Sequence, residues 1–176
     1  MKIKDMSLIA IFVTLIAVCS WFSIPYTIPF TLQTLGVFLC VGILGGNKAT
    51  LVILCYQLLG LMGIPVFSGF SGGFSHLLTA SGGYIIGFLF ISLTVWIIEK
   101  FYNKTKWAFA LSMLIGLFLC YIFATIWFMI IYTKNTGQIG FWASLILCVL
   151  PYIIPDILKL MLSLMVCKRL RKNLKV

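Results

Sequence analysis

The sequence contains few charged residues and almost no acidic ones. Only 9% of the 176 residues are charged, whereas a soluble domain carries roughly 25%. The acidic side chains number three, and they are Asp5, Glu99 and Asp156. Because 62% of the residues are hydrophobic, the composition excludes an ordinary soluble domain. The apolar runs are long and lack the alternating polarity of membrane strands, so we expect an all-α integral membrane protein with a single domain over residues 1–176.

Motifs that would support catalysis or metal binding are also absent. The sequence has no Gly-x-x-x-x-Gly-Lys-Ser/Thr phosphate loop, so the chain cannot hydrolyse ATP itself. The six cysteines are scattered through apolar segments without CxxC spacing, which is typical of small packing residues. The single histidine, His76, therefore has no partners for a metal site. We expect neither an enzyme nor a cofactor.

Basic residues are plentiful and unevenly distributed. The net charge of +10 would be compatible with nucleic-acid binding if the basic residues formed one patch. With six membrane spans, however, 11 of the 13 basic residues fall on one side, namely Lys2, Lys4, Lys48, Lys100, Lys104, Lys106, Lys168, Arg169, Arg171, Lys172 and Lys175. Cytoplasmic loops carry such an excess. This predicts a multi-pass protein of the cell membrane, with both termini cytoplasmic and no nucleic-acid partner; the family resemblance described below implies that the membrane is prokaryotic.

The apolar segments predict six spanning helices. Their expected ranges are residues 7–21, 31 or 33 to about 45, 50–61, 84–98, 107–132 and 155–170, with turns at 46–48 and 133–140. Pro25 and Pro29 prevent a regular helix through residues 23–33. This apolar, non-helical segment is expected to fold over the bundle as an extracellular cap.

The last apolar run, residues 141–167, has two interpretations. It forms either one kinked helix or a short surface helix over 141–149 followed by a final helix. We favour the second, because proline fits the first position of a helix and Pro155 would then begin it. Asp156 would lie in the first turn, where the helix dipole favours a carboxylate.

Asp156 and Lys159 are an acid and a base within this apolar run. A charge inside a membrane segment costs about 2.5–3.5 kcal/mol on insertion scales. At spacing i, i+3 the two side chains share one helix face, which must point into the protein. Two roles are open: contact with a polar ligand in a cavity, or an ion pair that holds the last helix.

Residues 60–83 form a loop rich in glycine and phenylalanine. Seven of the 15 glycines lie there, and glycine lets the backbone approach a ligand closely. Phe67, Phe70 and Phe74 would supply apolar walls. A flexible surface linker is the alternative, but interleaved aromatics favour a binding loop.

Small residues form a stripe on the first helix. Ser7, Ala10, Thr14 and Ala17 recur at spacings of three or four. Such stripes let membrane helices approach closely. Internal packing and docking to a membrane partner are both consistent with this pattern.

Four separated motifs resemble the BioY family, the substrate-binding components of energy-coupling factor (ECF) biotin transporters. They are Ile28-Pro-Phe-Thr-Leu-Gln-Thr-Leu-Gly36, Leu58-Leu-Gly-Leu-Met-Gly-Ile-Pro-Val66, Ser81-Gly-Gly-Tyr-Ile-Ile-Gly87 and Pro155-Asp-Ile-Leu-Lys159. The resemblance implies a six-helix S-component bundle that captures biotin from outside. It also implies docking, through a stripe that includes Ala10 and Thr14, onto a membrane-embedded coupling protein with two ATPase subunits.

The resemblance also implies site residues. The family's biotin-contacting Asp and Lys fall on Asp156 and Lys159. Gln33, Tyr84, Ser71 and Phe74 would line the site, with residues 23–33 as the lid. Two positions depart from the family pattern: Ser71 stands where members often have Asn, and Ile85 where members can have Arg.

The departures leave two alternatives open. The chain could be an S component for another small vitamin, since the two polar contacts are weakened or lost. It could also be a membrane scaffold that binds partners but no ligand.

Overall fold

The computed structural model describes residues 3–26, 28–101, 106–135 and 137–174. The helices are α1 (Ile3–Trp21), α2 (Gln33–Leu44), α3 (Gly46–Leu61), α4 (Phe74–Leu77), α5 (Gly82–Phe101), α6 (Lys106–Asn135), α7 (Phe141–Cys148) and α8 (Leu150–Leu174). Two short strands, β1 (Ser23–Ile24) and β2 (Phe30–Thr31), precede α2. The side chains of six basic residues used to predict orientation lie outside the described part: Lys2, Lys104, Lys106, Arg171, Lys172 and Lys175.

Four helical stretches are long and apolar enough to cross a membrane. They are Ile3–Trp21, Gly82–Phe101, Ala108–Asn135 and Phe141–Leu170. The protein is therefore an all-helical, multi-pass membrane protein, as expected. The helices α2 and α3 have 12 and 16 residues, short of the roughly 20 that a span requires. Length and composition alone thus account for four of the six predicted spans.

Small residues allow the helices to pack closely. The most extensive helix pair is α5 with α6, where a Cβ on Gly116 would lie 2.7 Å from Ile91 Cα. Helix α2 packs on α8, while α1 contacts both α2 and α3. Large apolar side chains such as Ile11, Phe118 and Met165 remain exposed on the outside, as a lipid-facing surface requires.

The proline-rich segment is not helical, as predicted. Its strands pair antiparallel, with Ser23 opposite Thr31 and Ile24 opposite Phe30. The hydroxyl of Tyr152 on α8 donates a hydrogen bond to the Ile28 carbonyl. This bond fastens the hairpin to the last helix.

The turn predicted at residues 46–48 is wrong, because α3 already begins at Gly46. Only Gly45, with φ +78°, separates α2 from α3. Glu99 on α5 accepts a hydrogen bond from the Gly46 N–H at 2.8 Å and so satisfies one of the unpaired donors of the α3 N-terminus. A Cβ on Gly46 would lie 2.2 Å from the Trp96 backbone nitrogen. Glycine is thus needed for close helix packing and not for a turn.

The start predicted for the last helix is also wrong. Helix α8 begins at Leu150, so Pro155 lies inside the helix and Asp156 is beyond the first turn. Pro151 is the second helical residue, where a missing N–H has no helical partner in any case. Pro155, the sixth residue of α8, removes one helical hydrogen bond, and its ring crowds the carbonyl of Pro151. The separate short helix was correctly predicted: α7 spans Phe141–Cys148.

Candidate ligand-binding site

The carboxylate of Asp156 is buried and accepts hydrogen bonds from three side chains. Its Oδ1 accepts from Thr34 Oγ1 at 2.8 Å and from Lys159 Nζ at 2.9 Å. Its Oδ2 accepts from the Tyr121 hydroxyl at 2.7 Å. Asp156 is only 2% exposed. A carboxylate in so apolar a place persists because charge-assisted bonds replace its hydration.

The ammonium group of Lys159 uses all three of its N–H donors within the protein. Besides Asp156, it donates to the Thr31 carbonyl at 2.7 Å and to Thr34 Oγ1 at 3.0 Å. The ammonium also lies 4.6 Å from the centre of the Phe30 ring, within cation–π range. The Thr31 and Phe30 contacts both come from strand β2 of the hairpin.

A cavity of about 40 Å³ lies beside this ion pair. Small-molecule pockets usually measure roughly 300–1,000 Å³, so in this structure the cavity is too small for such a ligand. Its walls come from the hairpin, α2, the glycine-rich loop, α5 and α8: Ile28, Pro29, Thr31, Gln33, Thr34, Ser68, Ser81, Tyr84, Ile85, Phe88, Tyr152, Asp156 and Lys159. It is a small cavity with a mostly apolar wall and a few polar groups, at the junction of five segments.

Four of the six predicted ligand contacts line this cavity. Asp156, Lys159, Tyr84 and Gln33 do so, the last with its Nε2 donating to the Tyr56 hydroxyl at 2.6 Å. The Tyr84 hydroxyl donates to the Cys148 carbonyl at the end of α7. The structure therefore brings together residues that lie up to 126 positions apart in the sequence.

Ser71 and Phe74 do not line the cavity. Ser71 Oγ donates to the Ser68 carbonyl at 2.6 Å and lies 2.9 Å from His76 Nδ1. The side chain of Phe74 is 64% exposed. Both residues lie in the loop outside the cavity wall.

Sequence reasoning missed Thr34, Tyr121 and Tyr152. Thr34 accepts from Lys159 while donating to Asp156, so it joins α2 to α8. Tyr121 lies in the middle of the most apolar span, where a buried phenol requires an acceptor. That requirement was a usable signal for a polar partner near Tyr121, although it could not identify Asp156.

His76 belongs to a hydroxyl-rich cluster next to the cavity residue Ser81. Its Nε2 lies 3.4 Å from Ser81 Oγ, and its ring stacks on Phe67 at 5.2 Å between centroids. Thr79 Oγ1 lies 2.9 Å from Ser81 Oγ and donates to the His76 carbonyl at 2.6 Å. Desolvation by burial lowers the pKa of His76 from its ordinary value of 6.5.

Three of the four small residues on α1 face outward. Ser7, Ala10 and Thr14 are exposed, whereas Ala17 is buried. The Thr14 hydroxyl donates to the Ala10 carbonyl at 3.0 Å, so it has a partner even without water. Internal packing within this chain therefore accounts for Ala17 but not for Ala10 and Thr14.

A second, larger cleft lies between α6, α7 and α8. It holds about 360 Å³, and its wall is almost entirely hydrocarbon, with Tyr121 and Thr125 as its polar residues. Such a surface suits lipid chains better than a polar solute. The smaller cavity beside Asp156 and Lys159 is therefore the better candidate for a polar ligand site.

Together, the apolar bundle and its enclosed, partly charged cavity define a helical membrane protein built to hold a small polar molecule. The chain belongs to the BioY family, whose model matches residues 1–176. It is 38% identical over 174 residues to the probable biotin transporter BioY of Pyrococcus horikoshii, covering 98% of this chain and 99% of that one. It is 33% identical over 165 residues to the biotin transporter BioY of Thermotoga maritima, covering 92% of each.

Solved structures of S components share the fold. The S component for biotin from an ECF-type ABC transporter superposes with a TM-score of 0.83 at 27% identity, covering 97% of this chain and 92% of that one. The S component of a second bacterial ECF transporter gives a TM-score of 0.61 at 18% identity, with 98% of both chains covered. The second match supports the fold alone.

Proposed function

We propose that this protein binds biotin and imports it as the membrane S component of an ECF transporter. The observation that carries the proposal is the buried Asp156–Lys159 pair lining a cavity in a chain of the BioY family. The names of the relatives, which are transporters and not enzymes, support the same function. The fold of a biotin S component supports it independently of the site residues.

The proposed topology is one domain over residues 1–176 with six spans and both termini in the cytoplasm. Helices α2 and α3 would cross as short spans of about 18 and 24 Å, at about 1.5 Å per residue. The charge distribution supports this orientation, because the basic residues then collect inside. The hairpin, the glycine-rich loop and the start of α8 would face outside as the mouth.

Asp156 would recognise the ureido N–H groups of biotin. A carboxylate offers about four acceptor positions, and three are filled by Thr34, Lys159 and Tyr121. The remaining position is on Oδ2. A ligand N–H that takes this position would add a bond without disturbing the three existing ones.

Lys159 would donate to a ureido or carboxylate oxygen after the hairpin opens. Its donors are fully used while the Thr31 carbonyl accepts one of them, and the closed cavity of about 40 Å³ cannot admit biotin. Lifting residues 23–33 would release that donor and open the cavity at the same time. The hairpin would therefore act as a lid whose closed form competes with the ligand for Lys159.

The remaining proposed ligand contacts are assigned by whether the residue lines the cavity. Tyr84 and Gln33 would line the bound ligand, since both already face the cavity. Ser71 and Phe74 stay proposed contacts at the mouth, where they would meet the ligand only as it enters.

Transport would require partner subunits, because this sequence has no phosphate loop. We assign ATP hydrolysis to two ATPase subunits and docking to a membrane-embedded coupling protein. The exposed Ala10 and Thr14 support a docking face on α1.

Substitution A10W should abolish biotin uptake by cells that express the full transporter, because the indole would block close helix approach. Biotin binding by the purified variant should stay unchanged. The control is I130W, at a 59% exposed residue of α6, which should support normal uptake. Equal uptake by both variants would exclude this docking face.

The experiment that tests the proposed function is identification of the ligand. The purified protein should carry biotin when analysed by mass spectrometry, and biotin and desthiobiotin should compete for one site while unrelated vitamins do not. Tighter binding of another vitamin would indicate an S component of different specificity, for which Ser71 and Ile85 are the motivating departures. Absence of any bound vitamin and of any thermal shift would favour a scaffold protein.

A further inference from the structure

The cavity wall carries polar groups of two kinds. One is the Asp156–Lys159 ion pair, whose charges cancel. The other is the pair of serines from the glycine-rich loop, Ser68 and Ser81. The wall also includes the apolar residues Ile85 and Phe88. In the described part of the chain, the cavity wall therefore carries no net positive charge to balance an anionic ligand.

His76 lies directly behind Ser81, and its hydrogen bonds indicate its tautomer. The Ser71 hydroxyl donates to the Ser68 carbonyl at 2.6 Å, so it accepts from His76 Nδ1–H at 2.9 Å. The proton of the neutral ring is therefore on Nδ1, and Nε2 faces Ser81 Oγ at 3.4 Å as an acceptor. When the ring takes a second proton, Nε2 becomes a donor and the Ser81 hydroxyl becomes its acceptor.

We propose that Ser81 and His76 form an anion subsite, in which the Ser81 hydroxyl donates to the carboxylate of the ligand and His76 takes up the balancing proton. This inference rests on the proposed function, since it concerns the carboxylate end of biotin. The Thr79 hydroxyl donates to the His76 carbonyl, so in the ligand-free protein the Ser81 proton points to Thr79 Oγ1 at 2.9 Å. When the ligand binds, protonated His76 donates to Ser81 Oγ and the Ser81 proton turns from Thr79 to the ligand carboxylate. The proton comes from the solution and forms a new N–H bond at Nε2.

The pH dependence follows from the sign of this linkage. In the ligand-free protein burial keeps the pKa of His76 below 6.5, so the ring is neutral near pH 7. A nearby carboxylate raises that pKa, so binding an anion takes up a proton and becomes tighter as the pH falls. A rise of one pKa unit corresponds to about tenfold in affinity.

The other side chains that contact the His76 ring cannot produce this pH dependence of ligand affinity. Among the described residues, the side chains that contact the His76 ring are those of Phe67, Ser71 and Ser81. None of them titrates near neutral pH. The charged groups that line the cavity are Asp156 and Lys159. Any pH effect of this ion pair would also change the affinity for a ligand without a carboxylate, so such a ligand serves as the control.

The test is calorimetric titration of the purified full-length protein at about pH 5.5 and about pH 8, on either side of the ordinary histidine pKa. The ligands are biotin and biotin amide, which differ in the charge of the side-chain end. Biotin should bind up to about tenfold tighter at the lower pH, and the amide should show no such gain. Variant H76N keeps a donor near the Nδ1 position but cannot titrate, so its biotin affinity should lose the pH dependence.

Three results would contradict this expectation, and each would overturn a different claim. Equal pH profiles for biotin and biotin amide in the wild-type protein would overturn the subsite. A wild-type pH profile in a folded H76N variant would overturn the role of His76. Failure of both ligands to bind at either pH would overturn the proposed function itself. If H76N does not fold, S81A provides the second variant, and it too should lose the gain at low pH.

Discussion

Asp156 is accommodated inside a membrane segment because four elements supply its environment. Thr34 comes from α2, Tyr121 from α6 and Lys159 from α8 itself, while β2 contributes the Thr31 carbonyl that holds Lys159. Removing one partner of a buried ion pair costs about 3–5 kcal/mol. The pair is thus both a structural junction and the polar floor of the cavity, so the two roles left open by the sequence are not exclusive.

Gly46 offers a test of close packing at the residue scale. A Cβ there would lie 2.2 Å from the Trp96 backbone nitrogen, so G46A should force α3 away from α5. We expect a loss of at least about 1–3 kcal/mol, the usual range for overpacking, seen as a lower melting temperature in detergent.

The matched control is G140A. Gly140 has φ −70° and no atom within 4 Å of the added Cβ, so the stability should change little. Equal melting temperatures for the two variants would contradict the packing at Gly46.

At the level of elements, the proposed function requires the hairpin to move. It contributes Ile28, Pro29 and Thr31 to the cavity wall, and it is held by Tyr152 and Lys159 of α8. Because a cavity of about 40 Å³ is too small for biotin, the proposed function implies that lid opening precedes ligand entry. Biotin should associate more slowly than the diffusion limit, and its association rate should depend on the hydrogen bonds that Tyr152 and Lys159 make to the hairpin.

Substitution Y152F removes the hydroxyl that binds the Ile28 carbonyl. A neutral hydrogen bond contributes about 0.5–1.5 kcal/mol, so the lid should open more often and biotin should associate about two- to tenfold faster. Stopped-flow fluorescence measures this rate. The control is Y26F, at a 58% exposed tyrosine of the same hairpin, which should associate at the wild-type rate. An unchanged or slower rate for Y152F would argue against the lid.

Elements with strong sequence signals were predictable, and those that depend on tertiary contacts were not. Pro25 and Pro29 excluded a helix, and Asp156 and Lys159 stood out because charges in hydrocarbon require partners. The start of α8 was missed because Pro155 is compatible both with a first turn and with the early interior of a helix that begins at Leu150. Thr34 and Tyr121 were missed because they lie 122 and 35 residues from Asp156 in the chain.

At the scale of the whole molecule, orientation decides which face meets the ligand. The proposal places Lys48 in the cytoplasm and Lys134 outside, and both residues are exposed. In a background without the six native cysteines, K134C should react with a membrane-impermeant maleimide added to intact cells. K48C should react only after the membrane is permeabilised. The reverse pattern would invert the topology and move the cavity to the cytoplasmic side.

The most direct test of the central claim is the biotin affinity of D156A, measured by calorimetry on folded, purified protein. Loss of the carboxylate removes a ligand contact and leaves Lys159 buried without its anion, so affinity should fall by at least ~2–3 kcal/mol, roughly 30- to 150-fold. The control is D5A, which removes the partly exposed ion pair with Lys48 and should leave binding unchanged. Wild-type biotin affinity in D156A would contradict the account.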